Sequence, residues 1–392
     1  MKLFRIARPG IVLFKDRFWI GALWLFILIF PKGGFKVGLI PITWGYLILG
    51  FLGITFLVSN PIIINRKRAT TLLSLLPFQI ISLLCFALTG IENMSLTISF
   101  VISFFFIPWI FLTLLSQKIE YLKISQLKLL IKKGIFYIAA YGIFLFLYKQ
   151  YTGKFLEIPF LTVNFSDFGN IEGKNIERGI AFKLISTYNN GNIYGPCVLM
   201  LLPLYCYIEK SPLRKLIVKT SLILTLSRTV WIGLLFNELC NFIFFRKNSS
   251  MSFIKPIGAI LFSLIGLYSI VLYYGIPIEF VFDLHLGGRE AQFENFQINL
   301  LSKVPFVGII EIVYLSILSS FGLIGLISFL VAMISPIALN YSNKPEIKKT
   351  ILFGLINYLI VCCSDGAMLY IPTMAIYWFL VSLLCRKNHA EI

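Results

Sequence analysis

Long apolar runs, rather than alternating or one-sided patterns, dominate this chain. Twelve can be read, at roughly 18–31, 37–58, 70–90, 96–116, 134–148, 192–208, 213–227, 229–245, 256–274, 309–335, 350–368 and 370–385. A helix needs about 20 mostly apolar residues to cross the hydrocarbon of a bilayer. A helix apolar on every side faces lipid or protein all round instead of water. The fifth and seventh runs are short for a crossing. The expected fold is an all-α polytopic membrane protein of about twelve transmembrane helices, forming one integral membrane domain over residues 1–392.

Most connections between the runs are short, but two, at about 149–191 and 275–308, are long, and long loops in compact domains usually carry function or disorder. The first holds "GKFLEIPFLTVNF", a candidate pair of extended pieces around Pro159, followed by a polar, turn-rich stretch. The second holds "HLGGREAQFENFQINLL", where Phe293, Phe296, Leu300 and Leu301 mark one face of a short amphipathic helix.

Composition agrees with the pattern: 58% of the 392 residues are hydrophobic, only 13% are charged, and the mean hydropathy is +0.88. The net charge of +18 would point to nucleic acid in a water-soluble chain. Here its distribution argues otherwise. With the N-terminus on the cytoplasmic side, 25 of the 35 lysines and arginines fall in inside segments and 10 outside, so the positive-inside rule puts both termini in the cytoplasm and both long loops on the outer face. The basic surplus is then topological, and no nucleic-acid partner is expected. The basic, mixed start "MKLFRIARPGIVLFKDR" makes the first run an anchor rather than a cleavable leader. "SQKIEYLKISQLKLLIKK" reads as an interfacial helix or a solvated linker. Seven cysteines without a CxxC and two histidines offer no metal site and no disulfide framework.

Ionisable groups at the edge of an apolar slab are costly and therefore informative. Arg178 precedes "STYNNGNIYG", Arg228 sits in "LTLSRTVWIG" between two runs, and Arg289 opens the loop helix after Gly287 and Gly288. In the topology above all three lie at the outer face. A guanidinium fork grips phosphate oxygens in a bidentate way, and N–H groups at a helix start near Gly288 favour anions, so the set suits a diphosphate. The milder alternatives are a solvated loop cation at Arg178, a surface helix residue at Arg289 and a hairpin role for Arg228. Asn189, Asn190 and Asn192 offer amides that both donate and accept, suited to sugar hydroxyls or phosphate, although Asn192 also fits a helix cap. Among the acids Asp283, Glu290, Glu294 and Glu311, Glu311 at the start of the tenth run is the candidate to accept or orient a hydroxyl proton, or else to pair with an arginine. Asp365 and Glu238 read as structural.

Four stretches in order carry a resemblance: Arg178 followed by "YNNGNIYG"; "LSRTVWIG", like a Ser-Arg-Gly-Ala segment; "GGREAQFENFQINLLSKVPFVGI", an arginine, an amphipathic helix and a Pro-x-x-Gly; and "YLSILSSFGLIGLISFL". The C-terminal half resembles the bacterial O-antigen polymerase and O-antigen ligase superfamily. These are inner-membrane glycosyltransferases that use undecaprenyl-diphosphate-linked glycans at the periplasmic face. The resemblance implies periplasmic long loops, a metal-independent reaction without a cofactor, and an undecaprenyl-diphosphate-linked oligosaccharide as substrate. It also implies contact with membrane lipids and with a chain-length regulator protein. Arg178, Arg228 and Arg289 would hold the donor diphosphate and Glu311 would serve the acceptor hydroxyl. Ligases of the superfamily usually have a His-Asn pair where this chain has Glu311 and Ile312, which favours a polymerase. A ligase and a flippase of the same lipid-linked oligosaccharide remain the alternatives.

Overall fold

The structure, a computed structural model, describes residues 16–37, 40–59, 62, 64–171, 177–178, 181–244, 298–309, 311–341 and 345–386, with scattered positions between 258 and 275. Five helices among the described residues are long and apolar enough to cross a membrane: Arg66–Thr89, Met94–Leu114, Ile124–Thr152, Gly191–Ile208 and Val313–Ala338. Phe18–Ile29, Trp44–Val58 and Ile371–Leu384 are shorter apolar helices, and Pro212–Ile223, Arg228–Phe244 and Glu346–Val361 are further helices among the described residues. The run expected at 256–274 lies outside the described residues, apart from those scattered positions.

The outward faces of the long helices mark this as an all-α membrane protein. On Arg66–Thr89, Leu73, Ile80, Leu84 and Leu88 are all exposed and, at spacings of seven, four and four, form one continuous stripe. Ile324, Ile327, Val331 and Ile334 do the same on Val313–Ala338. Water would penalise such a surface, whereas lipid matches it. The inward faces of these two helices meet around Phe78, whose ring lies 5.8, 5.4, 5.7 and 5.3 Å from those of Phe100, Phe104, Phe321 and Phe329, edge to face. Each such pair adds roughly 0.5–1.5 kcal/mol to the burial itself. Gly191–Ile208 is the central helix, buried continuously from Ile193 to Tyr205. A side chain at Gly354 would overlap the Met200 carbonyl, so the Glu346–Val361 helix lies backbone against backbone upon it, the close approach that small residues permit between membrane helices.

The two ends of the bundle differ. At one, the basic end, buried Arg68 donates to Glu120 (3.0 Å), Lys67 to the Asn340 side chain (2.9 Å), Asn65 to the Cys385 carbonyl (2.7 Å) and Arg386 to the Leu122 carbonyl (2.8 Å). At the other, Gly34–Val37 and Ile40–Thr43 pair as an antiparallel hairpin with Lys36 opposite Pro41.

That hairpin corrects the expected second span: residues 37–43 do not begin the helix, which starts at Trp44. Pro41 lacks an N–H and would clash inside a helix, while Ile40, Ile42 and Thr43 are β-branched and favour an extended backbone. The interfacial helix expected near 116–133 is not a separate element. Ser116–Tyr121 is one short helix, and from Ile124 the chain runs unbroken to Thr152, joining the basic stretch to the fifth run. The seventh run shortens to the 12 residues of Pro212–Ile223, because the chain turns at Leu224 and Leu226 takes a left-handed φ of 49°.

The tenth run is broken at Gly322 (φ 72°, ψ −174°). The amide hydrogens released there are not lost: Leu323 N–H donates to Asn299 O (2.8 Å) and Ile324 N–H to Leu300 O (3.2 Å). A piece of non-helical chain thus fills the gap, which is how a helix can be interrupted at membrane depth without leaving unpaired polar groups.

Candidate functional site

The stretch that opens the central helix is mostly packed. Ser186, Thr187, Tyr188 and Asn189 are buried. Ser186 donates to the Ile138 carbonyl (2.7 Å) and the Tyr188 hydroxyl to the Leu28 carbonyl (2.8 Å). The three asparagines have separate tasks. Asn190, not Asn192, is the helix cap, accepting the Asn192 N–H at 2.8 Å. The Asn192 side chain accepts from Lys183 Nζ (3.4 Å). Asn189 takes a left-handed conformation (φ 54°), which asparagine tolerates, and its side chain lines a cavity. Gly191 and Gly195 serve packing: a Cβ at Gly191 would lie 2.8 Å from the Leu184 carbonyl, and one at Gly195 would overlap Val230. Asn190→Ala is expected to cost about 1 kcal/mol, within the ~0.5–2 kcal/mol of a lost cap. Asn190→Asp, which keeps the acceptor, should restore the thermal unfolding midpoint of the detergent-solubilised protein.

Arg228 is the first residue of its helix and half-buried. A cation there opposes the helix dipole, so the helix itself gains nothing from it. Its neighbour Thr229 donates to the Ser364 hydroxyl (2.7 Å). On the other side, the Val313 N–H donates to the Cys362 carbonyl (3.2 Å). The two helix starts that carry Arg228 and Glu311 therefore flank one turn, residues 362–366, which is held in turn by the Tyr358 hydroxyl on the Gly366 carbonyl (2.9 Å). Glu311 is exposed, two residues before the helix that starts at Val313. Asp365, in the same turn, is buried. Arg178 lies in a two-residue strand paired with Ala181–Phe182, and its side chain is outside what is described. Gly288 and Arg289, with Asp283, Glu290 and Glu294, lie outside the described residues.

The cavity, about 240 Å³, was not visible in the sequence. Its walls come from Lys32, Lys36 and Thr43 around the hairpin, Ser95 and Ser99 at the start of Met94–Leu114, Asn164 and Asp167 in the long loop, Asn189, Ile309, and Tyr370 beside the last helix. Lys36 pairs with Asp167. Lys32 Nζ stands 4.3 Å from the centre of the Tyr370 ring. Burial of the phenol, and secondarily the Asp365 carboxylate, raise the Tyr370 pKa although part of the residue is exposed, so it remains a neutral hydroxyl at physiological pH. The local signals that could have pointed here are Pro41, which forces the hairpin, and the Asn-Phe-Ser-Asp turn at 164–167, where Asn164 accepts the Ser166 N–H (3.2 Å).

Among the described residues no group of three or more histidines, cysteines or acids could hold a metal ion. The seven cysteines are free thiols. No family model, no curated protein and no solved structure matches the chain.

Proposed function

We propose that this protein is a polysaccharide polymerase of the O-antigen type, a multi-pass glycosyltransferase of the bacterial inner membrane with its active site at the periplasmic face. In this reading it has about twelve spans and both termini in the cytoplasm. The basic end of the bundle, with Arg68, Lys67 and Arg386, is cytoplasmic, and the hairpin end is periplasmic, which fits the positive-inside distribution.

The observation that carries the reading is the 362–366 turn, because it ties the helix start bearing Arg228 to the one bearing Glu311. In the reaction, the bond between the anomeric carbon of the donor glycan and its diphosphate oxygen breaks, and a bond from an acceptor sugar hydroxyl to that carbon forms. The leaving group is undecaprenyl diphosphate, whose developing charge Arg228 neutralises with its fork, together with Arg178 and Arg289. The hydroxyl proton passes to the Glu311 carboxylate. Asn189, Asn192 and Gly288 line the approach of the lipid-linked glycan. The substrate and the surrounding membrane lipids are the partners this requires, and a chain-length regulator protein would act on the product.

Purified protein in detergent should elongate lipid-linked repeat units without any other protein. Cells lacking the chain should carry lipid A core capped with a single repeat unit. Uncapped core would point to a ligase instead, and a protein that binds but never elongates would point to a carrier; either result removes the proposal.

A further inference from the structure

We infer that a second cavity, at the basic end of the bundle, binds the phosphate of an anionic phospholipid beside Lys215 and Lys219. The site stands apart from the proposed reaction and does not depend on it. The cavity measures about 340 Å³. It lies where the end of Gly191–Ile208, with Cys206 and Tyr207, meets Lys215 and Lys219 of Pro212–Ile223, Asn241 of Arg228–Phe244 and Thr350 of Glu346–Val361. Lys348, two residues before Thr350, fixes this as the basic end, because its ammonium donates to the Arg386 carbonyl (2.7 Å).

Lys215 and Lys219 are four residues apart, so both side chains leave the same face of their helix, and like charges at that spacing oppose helix formation. Lys219 is answered within the protein by Glu238 (2.8 Å). Among the described residues Lys215 has no such partner: Glu209, the acid that closes the preceding helix, is shared by Lys132 (3.3 Å) and Arg214 (3.5 Å). Two lysines against one carboxylate leave one positive charge in excess. Cys206, in the cavity wall, lies in the fields of Lys219, Glu238 and Lys215 together, so the three charges act at one place. Lys219 is 21% exposed and Lys215 half-buried, which leaves both ammonium groups open to an incoming anion.

Donors and surroundings narrow the class. An ammonium has three N–H groups, and the Asn241 amide adds more. The Thr350 hydroxyl is spent on the Ile347 carbonyl (2.8 Å) and adds none. A ligand that carries negative charge, accepts several hydrogen bonds and donates none meets this wall, as a phosphate diester does. Leu213 and Leu216 on the lysine helix and Leu239 on Arg228–Phe244 are exposed, a surface that suits acyl chains. Tyr207, in the wall and 41% exposed, has the apolar ring and polar tip of residues at headgroup level. Basic pockets between membrane helices on the cytoplasmic side take anionic head groups, and the proposed topology puts this end there.

The test uses the full chain in detergent and reads its thermal midpoint with added phosphatidylglycerol, phosphatidylcholine or inorganic phosphate. Phosphatidylglycerol is expected to raise the midpoint well above the other two, because a ligand of the folded state alone stabilises it. Lys215→Ala removes a repelled charge, so without lipid its midpoint should equal or exceed that of the wild type. With phosphatidylglycerol its apparent affinity should fall about tenfold, the equivalent of one charge-assisted hydrogen bond. Lys215→Arg should keep the response. Lys210→Ala, at an exposed cation of the same end outside the cavity, should keep it too. Lys219 stays in place, since its loss would strand the buried Glu238. An equal rise with phosphatidylcholine, or wild-type affinity in Lys215→Ala, would overturn the site. An equal loss in Lys210→Ala would reduce it to general surface attraction, and a full rise with inorganic phosphate would replace the lipid by a free anion.

Discussion

Arg228→Ala will leave the surface glycan at a single repeat unit, with elongation by the purified protein reduced by about 10²–10³-fold, the effect of deleting one preorganised charge stabiliser at a leaving group. Arg228→Lys will keep the charge but lose the planar fork, and should fall between the two. The protein should stay folded. Arg228 is the first residue of the Arg228–Phe244 helix, where a cation is unfavourable to the helix dipole, so its loss relieves that unfavourable charge. The 362–366 turn keeps its bond from Thr229. Ladder length on a gel, elongation kinetics and thermal unfolding of the same preparations distinguish a lost chemical group from a lost fold. A normal ladder from Arg228→Ala would exclude the diphosphate role.

Gly322→Ala will have the opposite signature, a protein that is destabilised before any chemistry is considered. The added Cβ would lie 2.5 Å from the Leu300 carbonyl oxygen and 2.6 Å from the Leu301 Cα, both backbone atoms that cannot rotate away, and the backbone stands at a φ of +72°. A left-handed or extended-positive position costs a residue with a side chain roughly 1–3 kcal/mol, and overpacking adds about 1–3 kcal/mol, so a loss of about 2–6 kcal/mol is expected. Gly50→Ala, in a helix with nothing within 4 Å of the new carbon, should be neutral or raise stability by up to ~1 kcal/mol through helix propensity. Comparing the two midpoints in detergent isolates the Gly322 break from the general effect of replacing glycine. The break also sets the direction of the short piece that begins just after Glu311, so Gly322→Ala should depress elongation even where it folds. An unchanged midpoint would mean that the 298–301 segment does not fill the break.

These two residues also separate what a sequence can disclose from what it cannot. Arg228 stood out because an arginine between two apolar runs is energetically conspicuous wherever the chain goes. Gly322 lay inside a run that reads as one span, since glycine is common in membrane helices and only the arrival of Leu300 and Leu301 from a separate segment makes it a break. The Asn/Gly stretch is conspicuous too, but the sequence offers its three asparagines alike as amides for a ligand, whereas a cap at Asn190, a lysine partner at Asn192 and a cavity wall at Asn189 divide them. The hairpin at 34–43 is hidden in the sequence because apolar β-branched residues next to a long apolar run look like more of that run.

The sequence by itself determined that this is a helical membrane protein and where most of its helices run, because the transfer of apolar side chains from water acts residue by residue and needs no partner. It also marked Arg228, Asn189 and Glu311, because charge and amide groups beside hydrocarbon are costly in any fold. Only the tertiary structure decided that Thr229 and Val313 meet the same turn, and that Thr43, Asn164 and Tyr370 enclose one space. Those juxtapositions join segments up to several hundred residues apart, and they depend on which helix faces come together, a property of pairs and not of positions.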